Sequence, residues 1–126
     1  MFYTRVMPRF DMFRHQTEFQ TFAAGETIFR QGDARTFMFV VSEGEVEIAV
    51  GHKVVEIVQP GGIFGEMAMI DGAPRTATAT ARSVCKLVPI DQQRFQFLVQ
   101  QTPYFAIEVM RVLADRLRRA NQLIEA

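Results

Sequence analysis

From position 21 onward, apolar and polar residues fall into short runs divided by turn signals, the pattern of an all-β sandwich or barrel. Residues 22–29 read as two short strands about Gly25, and Gln31-Gly32-Asp33 reads as a turn. Residues 37–42 (Phe-Met-Phe-Val-Val-Ser) are nearly all apolar, which predicts a central strand buried on both faces. Glu43-Gly44 turns that strand. Residues 45–50 then alternate, with Val46, Ile48 and Val50 on one side and Glu45, Glu47 and Ala49 on the other. Gly51-His52 fits a two-residue hairpin with Gly first. The return strand covers 53–58 and ends at Pro60-Gly61-Gly62. Residues 76–81 (Thr-Ala-Thr-Ala-Thr-Ala) alternate again, and 84–90 form the last strand.

The final third changes period. Asp91 is placed to cap a helix that carries Phe95, Leu98 and Val99 on one face. Thr102-Pro103 then starts a second helix, with Thr as N-cap and Pro at the first helical position. Nothing breaks it from 104 to 125, a run of roughly 30 Å at 1.5 Å per residue. Met110, Leu113, Leu117, Ala120 and Ile124 recur in steps of three and four, the seam of a coiled coil. Pairing into a homodimer through 104–125 is the expectation, and packing of the stripe on the chain's own sandwich is the alternative. At the other end, Phe2, Val6, Phe10 and Phe13 sit at near-helical spacing interrupted by Pro8, with Asp11 a plausible N-cap. The preferred reading has this stripe packing on the domain's own core; the alternative is a docking surface. The resulting organisation is an N-terminal helical or irregular segment at 1–20, a β-region at 21–90, and C-terminal helices at 91–126.

Composition narrows the function classes. A chain of 126 residues with 48% hydrophobic content fits one domain with a filled core. Fourteen basic residues balance fourteen acidic ones, which argues against a dominant nucleic-acid surface. The single cysteine, Cys85, excludes an internal disulfide, and its place in an alternating strand reads as a small buried hydrophobe. No apolar run approaches the ~20 residues of a membrane span, and the N-terminus lacks a signal-peptide pattern. A cytoplasmic location is therefore expected.

Candidate chemistry concentrates in residues 64–78, Phe-Gly-Glu-Met-Ala-Met-Ile-Asp-Gly-Ala-Pro-Arg-Thr-Ala-Thr. Gly61, Gly62 and Gly65 allow tight turns and close approach of the backbone to a ligand. Residues 66–70 suit one short helical turn, whose first N–H groups would face an anion. Asp71-Gly72-Ala73-Pro74 reverses the chain. Arg75 then offers a planar fork for phosphate oxygens, and Thr76 adds a hydroxyl. Glu66 is a lone carboxylate that would repel a phosphate, so it should meet hydroxyls or a cation. A ligand carrying both a phosphate and a sugar hydroxyl satisfies both residues.

This stretch resembles the phosphate-binding cassette of cyclic nucleotide-binding domains, Phe-Gly-Glu-x-Ala-x-x-x-Gly-x-Pro-Arg-x-Ala, without a gap. Such domains occur in protein kinase A regulatory subunits, cyclic nucleotide-gated channels and the catabolite activator group of bacterial regulators. The resemblance runs from about Phe22 to the C-terminus. It implies a mainly β fold with flanking helices: an eight-stranded antiparallel jelly-roll (a β-roll, or double-stranded β-helix) with the cassette inserted between two strands. It also implies ribose 2′-hydroxyl recognition by Glu66 and cyclic phosphate recognition by Arg75. The cassette positions Gly65, Met67, Ala68, Thr76 and Ala77 complete the ligand-binding set. Phe64 and, on the last helix, Arg116, Arg119, Ala120, Asn121 and Leu123 are the implied base and lid contacts. The ligand expected is cAMP, with cGMP as a second candidate because Thr76 follows Arg75 directly. No cofactor or metal is expected.

Enzymatic readings fare poorly on the same residues. A metal-dependent enzyme on a double-stranded β-helix needs two or three His and a carboxylate close together, and a non-metal cupin-like enzyme is the less favoured reading. Only His15 and His52 are available, one in the N-terminal segment and one in a tight turn. There is no nucleophile elbow and no phosphate loop ending in Gly-Lys-Ser/Thr. The expected function is a ligand sensor that regulates an attached or partner effector through its last helix. The alternative is the sensor half of a bacterial transcription regulator. The Arg-Leu-Arg-Arg-Ala-Asn run at 116–121 resembles that branch, whereas Gly-x-Pro-Arg resembles the kinase and channel branch. No direct contact with nucleic acid is expected from the residues present, which carry no helix-turn-helix.

Overall fold

The computed structural model describes residues 18–34 and 36–125, so the expectations for the N-terminal stripe, Asp11 and His15 lie outside the described residues. Eight strands are described: β1 (Gln20–Phe22), β2 (Thr27–Phe29), β3 (Met38–Glu43), β4 (Val46–Val50), β5 (Lys53–Val58), β6 (Ile63–Phe64), β7 (Thr78–Ala81) and β8 (Cys85–Ile90). A 3-10 turn, Glu66–Met69, sits between β6 and β7, and α1 (Gln92–Gln101) and α2 (Pro103–Glu125) follow. The strands form two four-stranded antiparallel sheets, ordered β1-β8-β3-β6 and β2-β7-β4-β5. This is the expected β-roll with an insertion before β7.

The core follows from the alternation. Phe39, Val41, Val46, Val58, Phe64, Ala79, Ala81, Cys85 and Leu87 form one buried cluster drawn from both sheets. β3 is interior to its sheet, and Met38 to Val41 are all buried, as a strand apolar on both faces requires. The Thr-Ala repeat resolves the same way: Ala79 and Ala81 are fully buried while Thr78 and Thr80 are half-buried. Small residues on that face let the two sheets approach closely.

Three details depart from the expected pattern. The alternation at 76–81 enters the ladder only at Thr78; Thr76 and Ala77 form a bend before it. Val50 belongs to the apolar side of its strand yet is exposed, because β4 ends there at the two-residue turn Gly51-His52. A bulge also shifts the β4–β5 register, with Ile48 opposite Glu56 and Ala49 opposite Val54. The extra residue, Val55, leaves the hairpin tip bent, with Val54 and Val55 exposed.

The chain divides into two compact units between Gln92 and Gln93, one holding the β-roll and the other the helices. Within the helical unit, Phe105 meets Phe95 edge-on at 5.6 Å between centroids. The boundary between the helices is closed by two backbone bonds: Thr102 N–H donates to the Leu98 carbonyl, and Phe105 N–H donates to the Thr102 carbonyl. Proline at the first position of α2 has no N–H to leave unmatched there. No helix among the described residues is long and apolar enough to cross a membrane.

Candidate functional site

β6 pairs with β3, Phe64 opposite Phe39 and Ile63 opposite Val40, and delivers the chain to Gly65. Gly65 adopts φ +74°, in the left-handed region that favours glycine. A Cβ there would lie 2.8 Å from Nη1 of Arg75, 3.3 Å from the Phe37 carbonyl oxygen and 3.4 Å from Cε2 of Phe29. The position is therefore closed to a side chain both by its backbone angle and by what surrounds it. The 3-10 turn begins immediately after, with Glu66 as its first residue and Ala68 N–H donating to the Gly65 carbonyl at 3.1 Å. Glu66 is 5% exposed, so its carboxylate is a buried acceptor rather than a surface charge.

Past the turn the chain leaves the surface of the roll only briefly. Ile70 to Pro74 are exposed, and Ala73 N–H donates to the Asp71 carboxylate at 3.1 Å, a local turn of the kind Asp favours. Arg75 is then locked by its backbone to the turn after β2. Its N–H donates to the Asp33 carbonyl, and its own carbonyl accepts from Gly32 N–H, both at 2.8 Å. That turn is itself tied down, because Arg30 N–H donates to the Asp33 carboxylate and Gln31 N–H donates to Thr78 Oγ1, each at 2.9 Å.

The Arg75 side chain folds inward. It is 6% exposed, although the sequence suggested a guanidinium fork simply offered to a ligand. Nη2 donates to the Phe37 carbonyl and Nη1 to the Gly65 carbonyl at 3.3 Å. Its Cζ lies 3.9 Å from the centroid of the Phe29 ring, a cation–π contact. Phe29 stands in turn against Phe39 and Phe64, at 6.4 and 5.8 Å between centroids. Sequence reasoning missed Phe29 and Phe37. A signal was present: an arginine expected in a cassette flanked by core strands needs an apolar or carbonyl-lined seat, and phenylalanines cluster at 29, 37, 39 and 64.

The remaining candidates divide by location. Gly65, Glu66, Met67, Ala68, Arg75, Thr76 and Ala77 all lie in the β-roll unit, between β6 and β7. Met67 and Thr76 are exposed, and Ala68 and Ala77 are half-buried. Phe64 stacks on Phe39 at 5.2 Å and is 1% exposed, so its ring belongs to the core and not to an open wall. Arg116, Arg119, Ala120, Asn121 and Leu123 lie on α2 in the other unit; Arg116 is half-buried, and Arg119, Ala120 and Asn121 are exposed. Among the described residues no group of three or more His, Cys, Asp or Glu could hold a metal ion.

Comparison with known proteins bears on this geometry. The model of the cyclic nucleotide-binding domain family matches residues 19–102. A CRP-like cAMP-activated global transcriptional regulator of Mycobacterium tuberculosis is 30% identical over 105 residues, which are 79% of this chain and 47% of that protein. The chain thus spans about half the length of the curated relatives it matches. The catabolite activator protein of Thermus thermophilus superposes with a TM-score of 0.81 at 26% identity, over 95% of this chain and 59% of that one. A structure from a cyclic-GMP-dependent signalling pathway that regulates bacterial phytopathogenesis superposes with a TM-score of 0.74 at 27% identity, over 85% of this chain and 90% of that one.

Proposed function

We propose a cyclic nucleotide sensor, proceeding from the premise that this chain belongs to the cyclic nucleotide-binding domain family. The observation that carries the reading is the seat of Arg75: a buried guanidinium beside a left-handed glycine and at the foot of a short turn headed by a buried carboxylate. A cyclic phosphate is a stronger partner for that guanidinium than the two carbonyls it now meets, because a charged acceptor roughly doubles the strength of a hydrogen bond. Glu66 takes the ribose 2′-hydroxyl as an acceptor, and the backbone of Gly65, Met67 and Ala68 lies against the phosphate. Thr76 and Ala77, at the bend before β7, close that edge.

The main ligand in this reading is cAMP. Thr76 supports cGMP as a second ligand, since an exposed hydroxyl beside the phosphate arginine is not consumed by the ladder, which begins only at Thr78. The output is regulatory. The relatives named above include a cAMP-activated transcriptional regulator and a catabolite activator protein, of which this chain matches 47% and 59%. A sensor half of a transcription regulator is therefore favoured over a stand-alone sensor. The helical unit supplies the surface through which two copies pair.

Calorimetric titration of cAMP and cGMP into the purified chain tests the reading. Saturable binding of cAMP, with cGMP weaker, is the expected result. Heat of dilution alone for both nucleotides would overturn it.

A further inference from the structure

We infer that Phe29 is a positioning residue for Arg75, an aromatic shelf that fixes where the guanidinium presents its donors; its part in ligand binding rests on the nucleotide reading above. The geometry has three independent parts. The ring centroid lies 3.9 Å from Cζ, close enough that the ring covers one side of the guanidinium group. The ring itself cannot drift, because it is held against Phe39 and Phe64 in the aromatic part of the core. The backbone of Arg75 is pinned to the turn that ends β2, through its paired bonds with Gly32 and Asp33, so the shelf and the arginine are carried by one rigid corner.

Opposite and around the ring, the Phe37 and Gly65 carbonyls accept from the two terminal nitrogens. Gly65 is the third wall, since a Cβ there would crowd Nη1 at 2.8 Å and the Phe37 carbonyl oxygen at 3.3 Å while only touching the Phe29 ring. A ligand therefore finds the guanidinium already placed, with one side taken by the ring. It exchanges carbonyl acceptors for phosphate oxygens without having to order a long side chain, an entropic cost that a flexible surface arginine would meet at binding. An aliphatic residue at 29 would fill similar volume but would lack the negative ring face that attracts the cation.

Two measurements separate the shelf from the nucleotide reading. In ligand-free protein, the side-chain NMR resonances of Arg75 are shifted by the Phe29 ring current in the wild type and return to ordinary values in Phe29→Leu. An unshifted wild-type Arg75 overturns the shelf. In calorimetry, Phe29→Leu weakens cAMP binding by about three- to thirty-fold, and Phe29→Tyr restores it, as expected of a cation–π contact of this burial. Site-specific replacement of Phe29 by pentafluorophenylalanine, which keeps the shape and reverses the ring's charge distribution, weakens cAMP as Leu does. In the Arg75→Ala background the Leu change has no further effect. Undiminished cAMP affinity in Phe29→Leu, or an equal loss whether or not Arg75 is present, overturns the positioning role. A wild type that shows the ring-current shift and binds no cyclic nucleotide instead supports the shelf and overturns the nucleotide reading.

Discussion

Arg75 and Glu66 are both about 95% buried, one a cation and one an acceptor-only carboxylate, and this places the site's chemistry at the scale of single residues. A buried charge left without its partners is far more costly than an exposed one, so removal of either group should be felt strongly. Arg75→Ala is expected to cost about 2–5 kcal/mol of cAMP binding, the loss typical when one partner of a desolvated charged contact is truncated. Arg75→Lys should recover only part, because an ammonium is a point charge that cannot span the Phe37 and Gly65 carbonyls and a phosphate together. Calorimetry decides, and near-native affinity in the Ala variant would remove Arg75 from the site. Glu66→Gln tests the ribose side. A carboxylate accepts strongly from a hydroxyl, so the change should weaken cAMP while leaving 2′-deoxy-cAMP almost unaffected. Equal losses for the two ligands would assign Glu66 to holding the cradle together rather than to the sugar.

At the scale of elements, the turn between β3 and β4 shows how tightly the roll is closed. Gly44 has φ +86°, and a Cβ there would lie 2.2 Å from the Val84 carbonyl oxygen and 2.9 Å from Cys85 Sγ. Neither neighbour can yield, since one is backbone and the other is fully buried. Gly44→Ala should therefore lower the denaturant midpoint markedly, by more than the ~1–2 kcal/mol of the left-handed angle alone. A midpoint within error of wild type would show that the turn is looser than its packing implies. Cys85 itself reports on the same junction. Burial raises its thiol above the ordinary value, so the folded chain keeps the proton at pH values where the unfolded chain has begun to lose it. The unfolded state then binds fewer protons than the folded one, and stability falls as pH rises above about 8.5. Below that pH the thiol contributes no slope. Urea titrations at pH 7 and above pH 9 should show this extra decline in the wild type and not in Cys85→Ala.

Those turns were also the most legible part of the sequence. Gly25, Gly44, Gly51 and Gly61 all stand at strand breaks and all adopt positive φ, so the punctuation of the roll could be read directly. The apolar run Met38 to Val41 of β3 and the Thr-Pro start of α2 were legible for the same reason, since each reflects a local rule. What sequence could not supply was register and three-dimensional company. The bulge at Ile48–Ala49 changes which side Val55 faces, and no local signal marks it. The Thr-Ala repeat cannot say that the ladder begins at Thr78, because that start is set by Arg75 pairing with Asp33, forty-two residues away in sequence. For the candidate site, the cassette itself was visible, while the seat of its arginine was not. Phe29 reaches Arg75 only because two strands from distant parts of the chain meet there.

At the scale of the whole molecule, the long helix of the helical unit carries an apolar stripe. Met110, Leu117 and Ile124 are 58%, 62% and 83% exposed, and they recur every seven residues along α2. Ile107, Ala114 and Asn121 occupy the companion positions of the same heptad; Ile107 and Asn121 are exposed and Ala114 is half-buried. Of the seam expected from sequence, Met110, Leu117, Ala120 and Ile124 are exposed and Leu113 is half-buried. A stripe of this kind costs free energy in water, and full burial of one Leu or Ile side chain returns about 1.5–3 kcal/mol. Pairing of two copies of α2 would bury one set of these residues from each copy, and a polar Asn within the seam would favour one register. The wild-type chain is therefore expected to sediment as a dimer with a concentration-dependent melting temperature. Leu117→Lys should give monomers, because like charges would then face each other across the seam. Its monomer should still fold, since Leu117 is already largely exposed. A dimer that survives this substitution would show that the copies meet through another surface, and a wild type that is monomeric at all concentrations would show that the stripe does not pair with itself.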